Sequence, residues 1–512
     1  MKQKFYITTP IYYVNGAPHL GHAYTSTAAD VLARFKRLDG YDVFFLTGTD
    51  EHGQKVESAA RVAGLDPQTF TDGVAADFRN MADRMKISYD DFIRTTEARH
   101  KNACEFLWQR LVDAGAIYLG KYEGWYAVRD EAFYDMDELR ETGPSTYSVA
   151  ASGAPVAWVT EPSYFFKLSS FQDRLLNLYE ENPDFIEPQA KRNEILSFVR
   201  SGLNDLSISR TSFSWGIPVP GDPAHVMYVW LDALTNYLTA IGYPDSTAER
   251  QAYWPANVHL VGKEIIRFHA VYWPAFLMAA GLPVPEKVFS HGWWTVEGEK
   301  MSKSLGNFID VRPLIDEFGL DPVRFFLLRE VPFGGDGDFS RKALISRLNV
   351  ELANDLGNLA QRTLSFIAKN AGGAVPAFGE LAAPDVKLLD DAEALTSKVR
   401  EALDRLAFHE ALEEIWKLVR AANAYIDHQA PWALKKADPV RMNTVLRVLL
   451  ETIRVIAVLL QPFMPDTMGK LLDQLGVQAD ARQIADLAPQ MVAGAPLPAP
   501  FGIFPRYVEV AA

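Results

Sequence analysis

His19 and His22 flank Leu20-Gly21, and much later Lys300-Met301-Ser302-Lys303-Ser304 sets two lysines around a Met-Ser pair. Imidazole N–H groups and ammonium groups at two distant points of a chain suit one task, holding a polyphosphate from two sides while charge builds on it. Histidines three residues apart share one face of a helical turn. Gly21 between them has no Cβ, so a flat ligand such as adenine can approach the backbone. The lysine segment reads as a turn, with Gly298 before it and Gly306-Asn307 after it. A lone H-x-x-H is more often surface or core, and a lone lysine loop is more often a solvated basic turn. In this order and at this separation, the two describe a split site for the triphosphate of ATP. The G-x-G-x-x-G dinucleotide fingerprint and the G-x-x-x-x-G-K-[ST] phosphate loop are both missing. No nearby His, Cys or acidic set completes a metal site around the histidines.

The elements that position these residues follow from pattern. Residues 4–9, aromatic and β-branched, read as a buried strand. Asn15-Gly16-Ala17-Pro18 is turn chemistry, with Pro18 expected at the first helical position and a helix running to about Leu38, stopped by Gly40. Residues 43–46 give a second strand. This β-α-β unit aims a helix N-terminus, an anion site, at the strand ends. Residues 92–116 read as helical. Residues 117–226 change to short, aromatic, turn-punctuated pieces, and Met227 to Ala233 resumes the α/β pattern. A strand at 258–261, a helix through His269 and a strand at 288–290 lead to His291-Gly292 and the lysine loop. After about Ile345 apolar residues recur at helical spacing, as in Leu395, Val399, Leu403 and Leu406, which predicts a helical bundle.

The expected fold is α/β: a Rossmann-like parallel-sheet domain split by a small insert and followed by an all-α bundle. The expected divisions are 1–116 and 227–290 for the two halves of the parallel-sheet domain and 117–226 for the insert. A linking region carrying the lysine loop takes 291–344, the bundle 345–480 and a tail packing back 481–512. Across 512 residues that is about three domains, and 48% apolar content supplies large cores. A net charge of −14 argues against a generic nucleic-acid binder, although RNA affinity depends on local patches. One cysteine, Cys104, excludes internal disulfides and cysteine-cluster metal sites. No secretory h-region and no membrane-length apolar run are present, so a soluble cytoplasmic protein is expected.

Tyr12 through His22, with Lys300 to Ser304, resembles the signature pair of the class I aminoacyl-tRNA synthetases. The surrounding residues, from about Phe5 to beyond Trp432, resemble the bacterial methionyl-tRNA synthetase family. The resemblance implies two steps: ATP and methionine form an aminoacyl-adenylate and pyrophosphate, and methionine then moves to the 3′ end of its tRNA, initiator and elongator alike. It implies catalytic roles for His19, His22, Lys300 and Lys303. ATP would meet Asn15, Gly21, His22, Lys263, Glu264, His291, Gly292 and Lys303. The methionine pocket would be formed by Ile11, Tyr13, Trp230, Ala233, Tyr237, Ile265 and His269, with Asp50 on the substrate ammonium. Aromatic walls suit a polarizable thioether. The anticodon would be read by Asn358, Arg362 and Trp432. Mg²⁺ is expected with the nucleotide, held mostly by phosphates and water. Many relatives carry C-x-x-C zinc knuckles in the insert; here Ala127-Val128-Arg129-Asp130 stands where one would begin, so no zinc is expected. Leu206 replaces a tryptophan found in several relatives before Ile-Ser-Arg. A monomer is expected, since no dimerisation module is visible after the bundle.

Three alternatives remain at this stage. Other class I enzymes for valine, leucine or isoleucine insert a larger editing domain than 117–226 allows. A small-metabolite nucleotidyltransferase shares the H-x-G-H logic in a shorter chain without a bundle. A non-enzymatic RNA-binding paralogue has no need of intact His and Lys motifs.

Overall fold

Lys4-Phe-Tyr-Ile-Thr8 has apolar side chains pointing both ways, the mark of a strand covered on both faces. The computed structural model shows that arrangement, and it describes residues 2–130, 132–296, 298–301, 308–488 and 490–509. Strand β1 (Lys4–Thr8) runs parallel to β3 (Asp42–Asp50), with Lys4 opposite Asp42 and Thr8 opposite Leu46. Phe5, Ile7, Val43 and Phe45 face one core, and Tyr6, Phe44 and Leu46 face the other. The short β2 (Tyr12–Tyr13) lies against the end of β3. Helix α1 (Leu20–Leu38) connects them, as the sequence implies.

Residues 92–116 are not one helix. Asp91–Arg94 form β4, paired in parallel with Leu46 to Thr49 of β3, and helix α2 begins only at Ala98 and ends at Asp113. Phe92 and Ile93 are buried, and an aromatic and a β-branched residue beside an unfilled sheet edge gain more from pairing than from another helical turn. The insert is built on a long antiparallel pair, β5 (Ile117–Ala127) against β9 (Pro155–Phe166), with β6 (Ala132–Tyr134), β7 (Leu139–Gly143), β8 (Thr146–Val149) and the short strand Leu206–Ser207 completing its six-stranded sheet. The chain then returns to the parallel sheet through β10 (Ile186–Glu187). Helix α3 (Val229–Thr239) precedes β11 (Val258–Gly262) and β12 (Val288–His291).

The parallel sheet has the order β10-β12-β11-β1-β3-β2, with β4 also on β3. From β1 the chain builds first toward β3 and later, on the other side, to β11. The order therefore reverses beside β1, and ligands of open α/β sheets bind in the crevice at that switch point, outside the carboxyl ends of the strands. Between residues 345 and 474 the chain is mainly helical, as its stripes imply: α4 (Asn358–Asn370), α5 (Ala383–Asp404), α6 (Phe408–Gln429), α7 (Pro431–Ala437) and α8 (Pro439–Leu460). The turns at 348–357 are π-helical and continue into α4. No helix among the described residues is long and apolar enough to cross a membrane.

Candidate active site

At the N-terminus of α1, the histidines first serve their own helix. His19 is the N-cap, and Pro18 precedes the cap instead of opening the helix. The Gly21 amide donates to His19 Nδ1 at 3.0 Å, and the His19 amide donates to His22 Nδ1 at 3.1 Å, a capping box built from imidazoles. The rings stack with centroids 3.8 Å apart. With Nδ1 accepting, the ring proton of each neutral imidazole sits on Nε2. A Cβ on Gly21 would lie 2.9 Å from His19 Cε1. Gly21 thus makes room for the His19 ring itself, a reason for glycine that the sequence did not reveal.

The other expected residues gather at the carboxyl ends of the same sheet. Asp50 ends β3 and is buried, Lys263 and Glu264 follow β11, and His291 ends β12. Lys263 Nζ donates to Asp336 at 2.6 Å and lies 4.1 Å from the Trp293 ring centroid, while Trp293 Nε1 donates to Glu264 at 2.6 Å. His291 is buried, with Nε2 2.8 Å from Thr25 Oγ1 and Nδ1 2.7 Å from the Gly292 carbonyl; burial lowers its pKa. Its imidazole holds β12 to α1. Gly292 packs against the backbone of Gly335, where a Cβ would collide at 2.2 Å. Lys303, with Ser302 and Ser304, lies outside the described residues, as does the side chain of Lys300, whose backbone pairs with Thr295.

The aromatic cluster is tightly built. Trp230 stacks on Phe268 with centroids 3.7 Å apart and planes 6° from parallel. Tyr237 stacks on His259 at 4.1 Å, and its hydroxyl lies 2.7 Å from His269 Nε2. Burial holds the His269 pKa down at about 4, so the ring is neutral near pH 7. Its Nδ1 faces the Ile265 carbonyl at 3.0 Å and must carry the proton; Nε2 then accepts from Tyr237. The pair closes on itself and leaves no ring proton of His269 for a substrate. Ile11, Tyr13, Trp230 and Ile265 are partly buried against the same core, and Ala233 is buried on α3.

Against known families, residues 5–364 match the model described as tRNA synthetases class I (M), and residues 375–508 match the anticodon binding domain of methionyl tRNA ligase. The chain belongs to the methionyl family of class I tRNA synthetases. The methionine–tRNA ligase of Brucella suis biovar 1 is 56% identical over 509 residues, which cover 99% of each chain. That of Rickettsia bellii is 55% identical, covering 99% of this chain and 100% of its own. The Mycobacterium tuberculosis methionyl-tRNA synthetase in complex with methionyl-adenylate superimposes with a TM-score of 0.96 at 51% identity, covering 98% of this chain and 100% of that one. The apo form gives 0.91 at 48% identity, covering 100% and 99%.

Within this methionyl-family fold, one buried cluster escaped the sequence reading. Asp232 on α3 lies 2.6 Å from His52 Nδ1 and 2.8 Å from His100 Nε2, and Cys104 Sγ lies 3.3 Å from His100 Nε2. All four are buried. Burial pushes the Asp232 pKa up, but the two imidazoles outweigh it and hold it at about 2. His100, Cys104 and Asp232 are metal-ligand types, yet their carboxylate–imidazole distances are those of direct hydrogen bonds, with no space for a cation between. The available signal was a carboxylate inside the apolar run Val229-Trp-Leu-Asp-Ala233, which calls for buried partners.

Asp130 accepts from the Tyr134 hydroxyl at 3.1 Å and from the Ser152 hydroxyl, so hydrogen bonds close the loop where thiolates would hold a metal. Leu206 pairs with Phe166 and packs against the core shared with Trp230. On the bundle, Ala430 breaks α6 from α7 at a positive φ of 43°, and Trp432 follows with 49% of its surface exposed. The Arg362 guanidinium lies 5.5 Å from the Trp432 ring and donates to Asp427 at 2.6 Å. Asn358, exposed, sits one turn before Arg362 on the same helix face.

Proposed function

We infer that the chain activates L-methionine with ATP, giving methionyl-adenylate and pyrophosphate, and then transfers methionine to the 3′ end of methionine tRNA. The observation that carries this reading is the imidazole capping box at the switch point of a chain whose catalytic and anticodon-binding regions both match methionyl-family models. The substrate carboxylate is already a nucleophile and attacks the α-phosphorus, while the bond to the leaving pyrophosphate breaks. No base or covalent nucleophile is needed. The chain's contribution is positioning and charge stabilisation. His19 and His22 direct Nε2–H donors at phosphate oxygens, and Lys300 and Lys303 bring mobile positive charge to the leaving group. Mg²⁺ enters with ATP. Asp50 pairs with the substrate ammonium, and the thioether lies among Trp230, Tyr237 and His269. Asn358, Arg362 and Trp432 face the anticodon, the aromatic ring stacking an unpaired base and the polar groups choosing it.

The divisions at 116, 226, 290, 344 and 480 separate the catalytic halves, insert, linking region, bundle and tail in this reading. The enzyme works as a cytoplasmic monomer without bound zinc. The test is pyrophosphate exchange run with each of the twenty amino acids. Methionine alone should drive strong exchange; faster exchange with another amino acid, or none with any, would refute the assignment. Metal analysis after chelator washing should find no stoichiometric zinc.

A further inference from the structure

Helix α3 has two faces of different chemistry. At 100° per residue, Trp230, Ala233 and Tyr237 fall on one side, and Asp232, Thr235 and Thr239 fall about 160° away on the other. The first face carries the aromatic pocket wall. The second is a row of buried polar groups, and α2 answers it. His100 reaches Asp232 with Nε2 at 2.8 Å and Thr239, two turns on, with Nδ1 at 3.1 Å. A third element joins at Asp232 alone. His52, two residues beyond the end of β3 at Asp50, donates Nδ1–H to the second carboxylate oxygen at 2.6 Å.

We propose that Asp232 is a positioning residue for the amino-acid pocket: by accepting from His52 and His100 together, it fixes the separation between the Asp50 end of β3 and the Trp230–Ala233–Tyr237 face of α3. The proposal deepens the methionine-activating reading and rests on it. A substrate amino acid is gripped at two points, its ammonium by Asp50 and its side chain by the α3 face. Only the spacing between those points lets both grips close at once. A carboxylate is the group that meets this need. It accepts from two imidazoles in different directions, whereas an amide in its place accepts from one only and turns an N–H toward the other, which then opposes it donor to donor or has to change tautomer. ATP is held elsewhere, at the α1 cap and the strand ends beyond β11 and β12, so its binding does not depend on this spacing.

The experiment is pyrophosphate exchange on the full chain, with KM for methionine and for ATP measured separately and active sites counted by the adenylate burst. Asp232→Asn should raise the methionine KM about tenfold, the scale of one lost hydrogen bond to a charged group, and leave the ATP KM within about twofold. His52→Leu should do the same. His52→Asn should stay within about twofold of the parent for methionine, because the amide Nδ2 can replace the imidazole Nδ1 donor. If Asp232→Asn fails to fold, the two His52 variants decide alone. A lowered melting temperature with unchanged methionine KM would overturn the proposal, as would KM values for methionine and ATP rising together, or His52→Asn behaving like His52→Leu. Absence of methionine-dependent exchange in the parent chain would instead sink the underlying functional reading.

Discussion

In the parallel-sheet region, Tyr237, His259 and His269 are buried and bonded to fixed partners, whereas Trp432 at the break in the bundle exposes half its surface. The surroundings differ in the same sense. Around α3, Asp232, Tyr237 and Thr239 are each met by side chains from other elements, as Asp232 is by His52 and His100. Around Trp432 the contacts are a guanidinium 5.5 Å from the ring and a solvent-facing ion pair, Arg362 with Asp427. A reaction accelerated by fixed donors requires the first arrangement, since misplacement by about 1 Å can cost 10²-fold in rate. Capture of an unpaired base requires the second, because a buried ring has no free face to offer.

This contrast can be attacked where the effects should be greatest. His22→Ala removes the donor proposed for the reacting phosphates and should lower the rate of methionine-dependent exchange by about 10²–10³-fold, with methionine affinity little changed. Lys303→Ala should act alike, and single-turnover adenylate formation checks both. Loss confined to methionine KM would mean the α1 cap is structural only. Gly21→Ala should reach as much as about 10²-fold by pushing the His19 ring from its cap, without touching the ring's chemistry. Unchanged exchange in that variant would show that ring placement does not matter.

Two smaller effects probe the pocket. Norleucine, with a methylene in place of sulfur, should be activated at about 2–13-fold lower kcat/KM, the span of sulfur–aromatic contact energies. Discrimination far beyond that range would require a hydrogen bond to sulfur, which the closed Tyr237–His269 pair does not provide. The pH prediction is for no effect. His269 is depressed to about 4, so it stays neutral as pH falls through the usual imidazole range. The sign for stability follows. Between about pH 6.5 and 4 the unfolded chain binds a proton that the folded chain does not, so this residue's contribution weakens as pH falls through that window. The methionine KM of wild type and of His269→Gln should therefore show the same pH profile from 5 to 8. Divergence near pH 6.5 would place a titrating imidazole in the pocket.

Much of this architecture was legible in the sequence. The strand from Lys4, the strand read at 43–46, the helix ending at Leu38 and the bundle stripes follow from apolar pattern, although the second strand runs on to Asp50, and the bundle break falls where Pro431 marks it. Periodicity failed at Phe92-Ile93, because whether a short apolar pair joins a sheet depends on a free edge elsewhere in the chain. Motif spacing led to His19 and His22, which the structure brings together at the α1 cap, whereas Lys303 of the lysine loop lies outside the described residues. The site was opaque where chemistry depends on residues far apart in sequence: nothing local links His52, His100 and Asp232. Local spacing likewise did not reveal that Gly21 accommodates the neighbouring imidazole, or that Lys263 is met by Asp336.

The division of labour between sheet and bundle is tested most directly by Trp432→Ala, with pyrophosphate exchange and tRNA charging measured on one preparation. The account predicts exchange and melting temperature close to wild type and charging lowered at least about tenfold, roughly the low end of base–aromatic stacking energy. Charging that stays at the wild-type rate, or exchange and stability that fall together with it, would contradict the account.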